Sequence, residues 1–176
     1  MNGTERNKRK GSGGSRTRPC FIADRTVVRL GKWLRLLGYD VVIAKAVGSP
    51  DAVQEFRLLK DEKRIFLTRD TRLHRRLDQA GAAVLLIASD HVACQLDQVV
   101  TSCALPQAQP VLRRCSHCNR PLSIVSDKEE VRAMVPEYIF SNQPVFHRCD
   151  CCGRIYWHGS HVLRMTAWLS DQRDGD

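Results

Sequence analysis

Three apolar runs in this chain of 176 residues end in an aspartate: Cys20-Phe21-Ile22-Ala23-Asp24, Arg64-Ile65-Phe66-Leu67-Thr68-Arg69-Asp70 and Val84-Leu85-Leu86-Ile87-Ala88-Ser89-Asp90. Carboxylates held a few ångströms apart cannot all stay ionised without a compensating cation. A hard divalent ion such as Mg²⁺ or Mn²⁺ relieves that repulsion and prefers oxygen ligands. Such a site polarises a phosphodiester and aligns water for in-line attack. Asp51, at the helix start Ser49-Pro50-Asp51, is a further candidate; complementing the helix dipole is its plain alternative. Asp90 is a fourth, with capping of the next helix as its alternative. Thr68, one residue inside a strand end, is placed to orient an aspartate or a water.

The second constellation is sulfur. Two C-x-x-C pairs, Cys115-Ser116-His117-Cys118 and Cys149-Asp150-Cys151-Cys152, have 30 residues between them. Four thiolates are the set a closed tetrahedral zinc site requires, and Gly153 suits the tight turn of a knuckle. The register favours Cys152 over Cys151. His117 and His147 read as neighbours of the metal, and Cys20, Cys94 and Cys103 as buried apolar residues.

The elements that must position these groups follow from hydrophobic period. Strands are expected over 20–24, 39–44, 64–68 and 84–88. Helices are expected over 25–37, from Ser49, over 71–80 and over 91–104. Strands alternating with helices of this length make right-handed crossovers and a parallel sheet covered on both faces. Its functional edge is the carboxyl end of the strands, where Asp24, Asp70 and Asp90 fall. Along the first helix Val27, Leu30, Leu34 and Leu37 should face the core. Arg25, Arg29, Lys32 and Arg35 should form a basic stripe opposite, either a solvated face or a ridge that contacts phosphates. Pro106-Gln107-Ala108-Gln109-Pro110 breaks the alternation as a linker. After the second cysteine pair, Tyr156, Trp157 and His161 either hold RNA bases by stacking or pack the small cysteine domain.

The net charge is +9, and residues 1–18 hold six Lys or Arg against Glu5 alone. That tail is expected to be disordered: a solubilising leader, a nucleic-acid arm or a targeting signal. The remaining excess favours a polyanionic partner. No apolar run reaches transmembrane length and no secretory signal is visible, so the expectation is an intracellular, chiefly cytoplasmic protein without a membrane partner, nucleus or organelle remaining open. Cysteines in such a chain read as metal ligands rather than disulfides.

Phe21-Ile22-Ala23-Asp24, Leu30-Gly31-Lys32-Trp33-Leu34-Arg35-Leu36-Leu37-Gly38-Tyr39-Asp40 and Leu67-Thr68-Arg69-Asp70 resemble the PIN-like ribonuclease domain. The variant is the one at the C-terminus of an RNA-silencing exonuclease of the mutator pathway, found also fused to a zinc ribbon. The second half matches through Arg114-Cys115-x-x-Cys118-Asn119 and Cys149-x-x-Cys152-Gly153-x-x-Tyr156-Trp157-x-Gly159-Ser160-His161, with departures at Ser116 and Val162. The resemblance implies a three-layer α/β/α fold with a parallel sheet and metal-dependent RNA cleavage, with Asp24, Asp70 and Asp51 as the acids carried over.

The resulting expectation is a Mg²⁺- or Mn²⁺-dependent ribonuclease. Asp24, Asp51, Asp70 and Asp90 would be catalytic, with Asp24 and Asp70 as metal ligands. Arg25, Arg29, Lys32 and Arg69, with Tyr156, Trp157 and His161, would bind RNA. Cys115, Cys118, Cys149 and Cys152 would hold structural zinc. The expected organisation is a nuclease domain over 19–105, a linker over 106–113, a zinc ribbon with a terminal helix over 114–170 and a tail over 171–176. A protein partner that directs the chain to its substrate fits this picture. The alternative is a non-catalytic RNA-binding adaptor for structured or ribosome-associated RNA.

Overall fold

A computed structural model describes residues 18–44, 63–105 and 112–171, without the side chains of 161, 166 and 168–171. The basic tail up to residue 17, the helix expected from Ser49 with its Asp51, and most of the linker lie outside the described residues.

Strands β1 (Cys20–Ala23), β2 (Asp40–Ile43), β3 (Ile65–Thr68) and β4 (Val84–Leu86) form an all-parallel sheet in the order β2-β1-β3-β4. Helices α1 (Val28–Leu36), α2 (Thr71–Gln79) and α3 (Val92–Ser102) flank it. The side chains of β1 alternate: Phe21 and Ala23 join Leu30 and Leu34 of α1 with Leu96 and Val99 of α3. Ile22 joins Phe66, Leu73 and Leu77 on the α2 side. All three β1 residues are fully buried, as a strand between two helical layers must be. The chain leaves β1 through α1 toward β2, and leaves β3 through α2 toward β4, in the opposite direction. Crossovers of one hand running opposite ways cover opposite faces. A crevice therefore opens between the carboxyl ends of β1 and β3.

α1 begins three residues later than its hydrophobic period suggested. The Asp24 carboxylate accepts the Thr26 N–H (2.8 Å) and the Asp24 carbonyl accepts the Val27 N–H (3.1 Å), so residues 24–27 form a tight turn. Gly31 lies in the middle of this helix because α1 crosses the sheet closely there. A Cβ at Gly31 would stand 2.9 Å from the Ala23 Cβ. Alanine would improve helix propensity by about 1 kcal/mol, while overpacking costs about 1–3 kcal/mol. Gly31→Ala is therefore expected to lower the urea midpoint, and Gly31→Val to lower it further.

The second half builds a small antiparallel sheet, β5 (Ser123–Ile124), β6 (His147–Arg148) and β7 (Ile155–Tyr156), in that order. A 3₁₀ helix (Lys128–Met134) and α4 (Glu137–Asn142) cover it, with Val131, Val135, Phe140 and Phe146 as their core. The final helix, α5 (Ser160–Asp171), returns to the large sheet, where its Met165 joins the same core as α1 and α3.

Arg35 corrects the expected stripe. Arg25, Arg29 and Lys32 are exposed, but Arg35 is only 6% exposed. Its Nε and Nη2 donate to the Val41 carbonyl (2.9 and 2.7 Å), and its Nη1 donates to the Ser116 and His117 carbonyls (3.0 and 2.8 Å). The Val41 N–H in turn donates to Asn119 Oδ1 (3.3 Å), while Asn119 Nδ2 and Arg64 Nη1 donate to Asp40 Oδ1 (2.9 and 2.8 Å). β2 is the edge strand, and its outward backbone groups would otherwise be unpaired. The first cysteine turn closes that edge, with Arg35 as the pin.

Candidate active site and metal centre

The crevice between β1 and β3 is a cleft of about 280 Å³ with Asp24 and Asp70 on its wall. Asp24 is 2% exposed. Its Oδ2 accepts the Thr68 hydroxyl (2.6 Å), and its Oδ1 accepts both the hydroxyl and the N–H of Thr26. Thr68 Oγ1 also accepts the Asp70 N–H (2.9 Å), and Thr26 Oγ1 accepts the Arg69 N–H (2.9 Å). Two hydroxyls thus clip the exits of β1 and β3 together and fix both aspartates. The orienting role considered for Thr68 is seen here in its bond to Asp24. The sequence signal for Thr26 is Asp-x-Thr directly after a strand, a pattern that forms a side-chain-closed turn.

Asp70 caps α2. Its Oδ1 accepts the N–H groups of Arg72 (2.8 Å) and Leu73 (3.0 Å). Those bonds, the Leu73 one foremost, hold its carboxyl below the usual range; the charges of Arg72 and Arg25 add to the effect. Asp70 is therefore an anion across the neutral pH range, and its Oδ2 has no hydrogen bond among the described residues.

Asp90 stands elsewhere. It is 77% exposed at its side chain and forms an ion pair with Arg69 Nη2. It does not line the cleft. The turn into α3 is closed by Ser89, whose Oγ accepts the His91 N–H (3.1 Å). Arg69 Nε is buried without a hydrogen-bond partner among the described residues. Asp51 lies outside the described residues. Among those residues, Asp24, Asp70 and Asp90 do not form a three-carboxylate group within ligation distance; the one group of metal-competent side chains is made of cysteines.

Cys115, Cys118, Cys149 and Cys152 bring their ligand atoms within 4.8 Å of one another. The contacts Cys118–Cys149 (3.4 Å) and Cys115–Cys152 (3.6 Å) approach the about 3.8 Å edge of a tetrahedron of sulfurs around zinc. The two turns repeat one geometry. The Asn119 N–H donates to the Cys115 carbonyl (2.9 Å) and the Gly153 N–H to the Cys149 carbonyl (2.8 Å). Asn119 (φ +65°) and Gly153 (φ +70°) occupy the left-handed region at equivalent positions. Asparagine is tolerated there, and its side chain is what docks the turn on β2.

The thiols are electrostatically unequal. Burial raises the Cys115 pKa, but hydrogen bonds from the Tyr156 hydroxyl and from the backbone of Cys118 and His117 bring it down to about 6. The Arg154 backbone favours the Cys152 thiolate, yet burial and the neighbouring sulfurs push it up to about 12. The Cys115 thiolate forms readily while Cys149 and Cys152 resist, a repulsion that a divalent cation would relieve. Burial lowers the Arg35 pKa, opposed chiefly by the charges of Cys115 and Cys118. A divalent metal held by four thiolates would be a net anion and would give the buried guanidinium its counter-charge in this cluster. Zinc fits these residues. Cys151 is exposed and outside the group.

Tyr156 and Trp157 serve this module. The Tyr156 hydroxyl lies 3.1 Å from Cys115 Sγ and 3.2 Å from Ser116 Oγ, and Trp157 packs edge-on against Phe146 (6.3 Å between centroids). Both are half-buried. His161 is the second residue of α5; its side chain is outside the described set. His147 is buried and is not among the ligands. Cys94, expected to be buried, is exposed on α3.

The molecule thus carries two acids at the switch point of a parallel α/β sheet, joined to a four-cysteine cluster. Residues 19–169 match the family model described as Mut7-C RNAse domain, and the chain belongs to that family. Membership in an RNase domain family suggests ribonuclease activity and implies RNA as the substrate. No curated protein and no solved structure matches the chain. No helix among the described residues is long and apolar enough to cross a membrane.

Proposed function

We propose that this chain is a ribonuclease whose cleavage depends on Mg²⁺ or Mn²⁺ held by Asp24 and Asp70. The observation that carries the reading is the shared cleft. Two carboxylates from the exits of adjacent strands face one opening, fixed by hydroxyls, beside exposed arginines, in a chain of an RNase family. The donor set fits a hard divalent ion: Asp70 offers a carboxylate oxygen with no hydrogen bond among the described residues, and Asp24 retains lone pairs beyond its hydroxyl partners. Such an ion would polarise the phosphodiester and favour ionisation of the attacking water. Asp51, which the sequence alone places at an expected helix start, would complete the acidic set. Asp90 is left out of it, because its partner is Arg69.

The rest of the chain positions RNA. Arg25 at the cleft, with Arg29 and Lys32 exposed on α1 and Arg69 at the β3 exit, would hold RNA phosphates. Residues 114–170 would form a zinc ribbon that braces the sheet through Arg35 and Asn119. Tyr156 and Trp157 would act through packing rather than by stacking on bases.

The test uses full-length protein freed of loosely bound divalent ions but retaining its tightly bound zinc, incubated with single-stranded and structured RNAs. Cleavage should appear on addition of Mn²⁺ or Mg²⁺ and be absent without it. Equal cleavage in both samples would remove the metal from the reading. Tight RNA binding with no cleavage under any condition would favour the adaptor instead.

A further inference from the structure

α2 contributes more to the cleft than the cap of Asp70. Leu73 and Leu77 turn inward to the core, and one residue back on each turn Arg72 and Arg76 line the cleft from the α2 side. Arg25 lines it from the β1 exit. Three arginines thus line an opening that holds two carboxylates. All three are exposed, and none forms an ion pair or side-chain hydrogen bond among the described residues. Other arginines near acids are engaged: Arg64 with Asp40, Arg69 with Asp90, Arg132 with Glu129 and Arg148 with Glu130. The carboxylates of the cleft, for their part, are bonded to hydroxyls and backbone N–H groups and, among the described residues, not to arginine side chains.

We infer that Arg72 and Arg76, facing Arg25, form a two-sided clamp for consecutive RNA phosphates across the Asp24–Asp70 pair. The inference rests on the reading of this cleft as the RNA site and names the groups that grip the substrate there. Residues i and i+4 stand about 6 Å apart along a helix axis, so the α2 pair can engage neighbouring phosphates of one strand while Arg25 engages the strand from the other wall. Guanidinium matches a phosphate with two parallel N–H donors, and unpaired exposed guanidiniums need not break existing bonds to do so. Arg75 and the α1 ridge residues Arg29 and Lys32 lie outside the cleft lining.

The experiment compares Arg72→Gln/Arg76→Gln with Arg75→Gln in the full chain, each checked for native circular dichroism. RNA binding is measured over a salt series without added Mg²⁺ or Mn²⁺, and cleavage kinetics with Mn²⁺. The double variant should bind single-stranded RNA at least about tenfold more weakly, with a salt slope smaller by about 1.4, which corresponds to two phosphates lost. Its KM should rise while kcat at saturating RNA stays within about threefold. Arg75→Gln should bind as the wild type does, and Arg72→Lys/Arg76→Lys should recover most of the slope. A double variant with the wild-type slope and KM overturns the clamp. So does an equal loss in Arg75→Gln, which would make the effect one of general charge. If the wild type binds RNA and the double variant is unchanged, only the clamp falls; if the wild type binds none, the clamp and the proposed function fall together.

Discussion

Asp24→Asn should reduce RNA cleavage by at least about a hundredfold, a loss of about 2.7 kcal/mol of transition-state stabilisation, while the protein remains folded. The charge is what the proposed chemistry needs, and the amide is the same size. The structural cost is bounded. Asp24 accepts a hydroxyl and an N–H from Thr26 and a hydroxyl from Thr68. Asparagine keeps one acceptor oxygen and presents an NH₂ group where the other was. If that group faces Thr68, the hydroxyl must turn, although its oxygen already accepts the Asp70 N–H. One disturbed buried hydrogen bond costs about 1–3 kcal/mol, so the urea midpoint should drop modestly and the circular dichroism should stay native. Asp70→Asn is a cleaner companion, because asparagine caps a helix about as well as aspartate. Any loss of cleavage there belongs to the carboxylate and not to α2. Asp24→Asn protein that is free of contaminating nuclease and cleaves at the wild-type rate would end the catalytic reading.

The second large effect is structural. Arg35→Met should cost about 3–5 kcal/mol, the range for breaking a buried charged network by removing one partner. Against a typical total of about 5–15 kcal/mol, that is a large share. Methionine fills much of the stem's volume but donates nothing. It would leave the Ser116 and His117 carbonyls without the Arg35 bonds, and the Val41 carbonyl without its two donors at the sheet edge. Arg35→Lys should recover only part of the loss, since a single ammonium cannot span carbonyls on two elements as the planar fork does. The network also joins the metal centre to the sheet. Zinc release, followed with a chromophoric chelator, should be faster in Arg35→Met, and removal of zinc from the wild type should lower the melting temperature of the whole chain rather than of the cysteine module alone. Two independent transitions in the zinc-free protein would contradict this coupling.

The positions of Asp24 and Asp70 could be read from sequence because strand exits are marked locally. An apolar run that ends in Asp and is followed by a helical period places that carboxylate at the carboxyl end of a parallel strand wherever the strand pairs. The cysteine cluster could be read for a similar reason, since C-x-x-C spacing builds each half of the site within one turn. The helix over 71–80 and the central strands followed from the same period, with ends trimmed where side-chain turns intervene, as at Thr26.

Other residues were assigned by what lies across from them, which no local pattern records. Arg35 has the spacing of a solvent-facing stripe with Arg25, Arg29 and Lys32, yet it is buried because β2 is an edge strand and the first cysteine turn covers it. Asp90 ends its run as Asp24 and Asp70 do, but β4 is the opposite edge of the sheet, and its acid meets Arg69 instead of the cleft. Arg72 and Arg76 have the spacing of a basic helix face, and the order β2-β1-β3-β4 puts the opening beside that face of α2. Hydrophobic period determines which face of an element is turned inward, and spacing determines which ligands a turn can gather. Strand order and docking decide which charge meets which, because those pairings join residues far apart in the chain through the sheet alone.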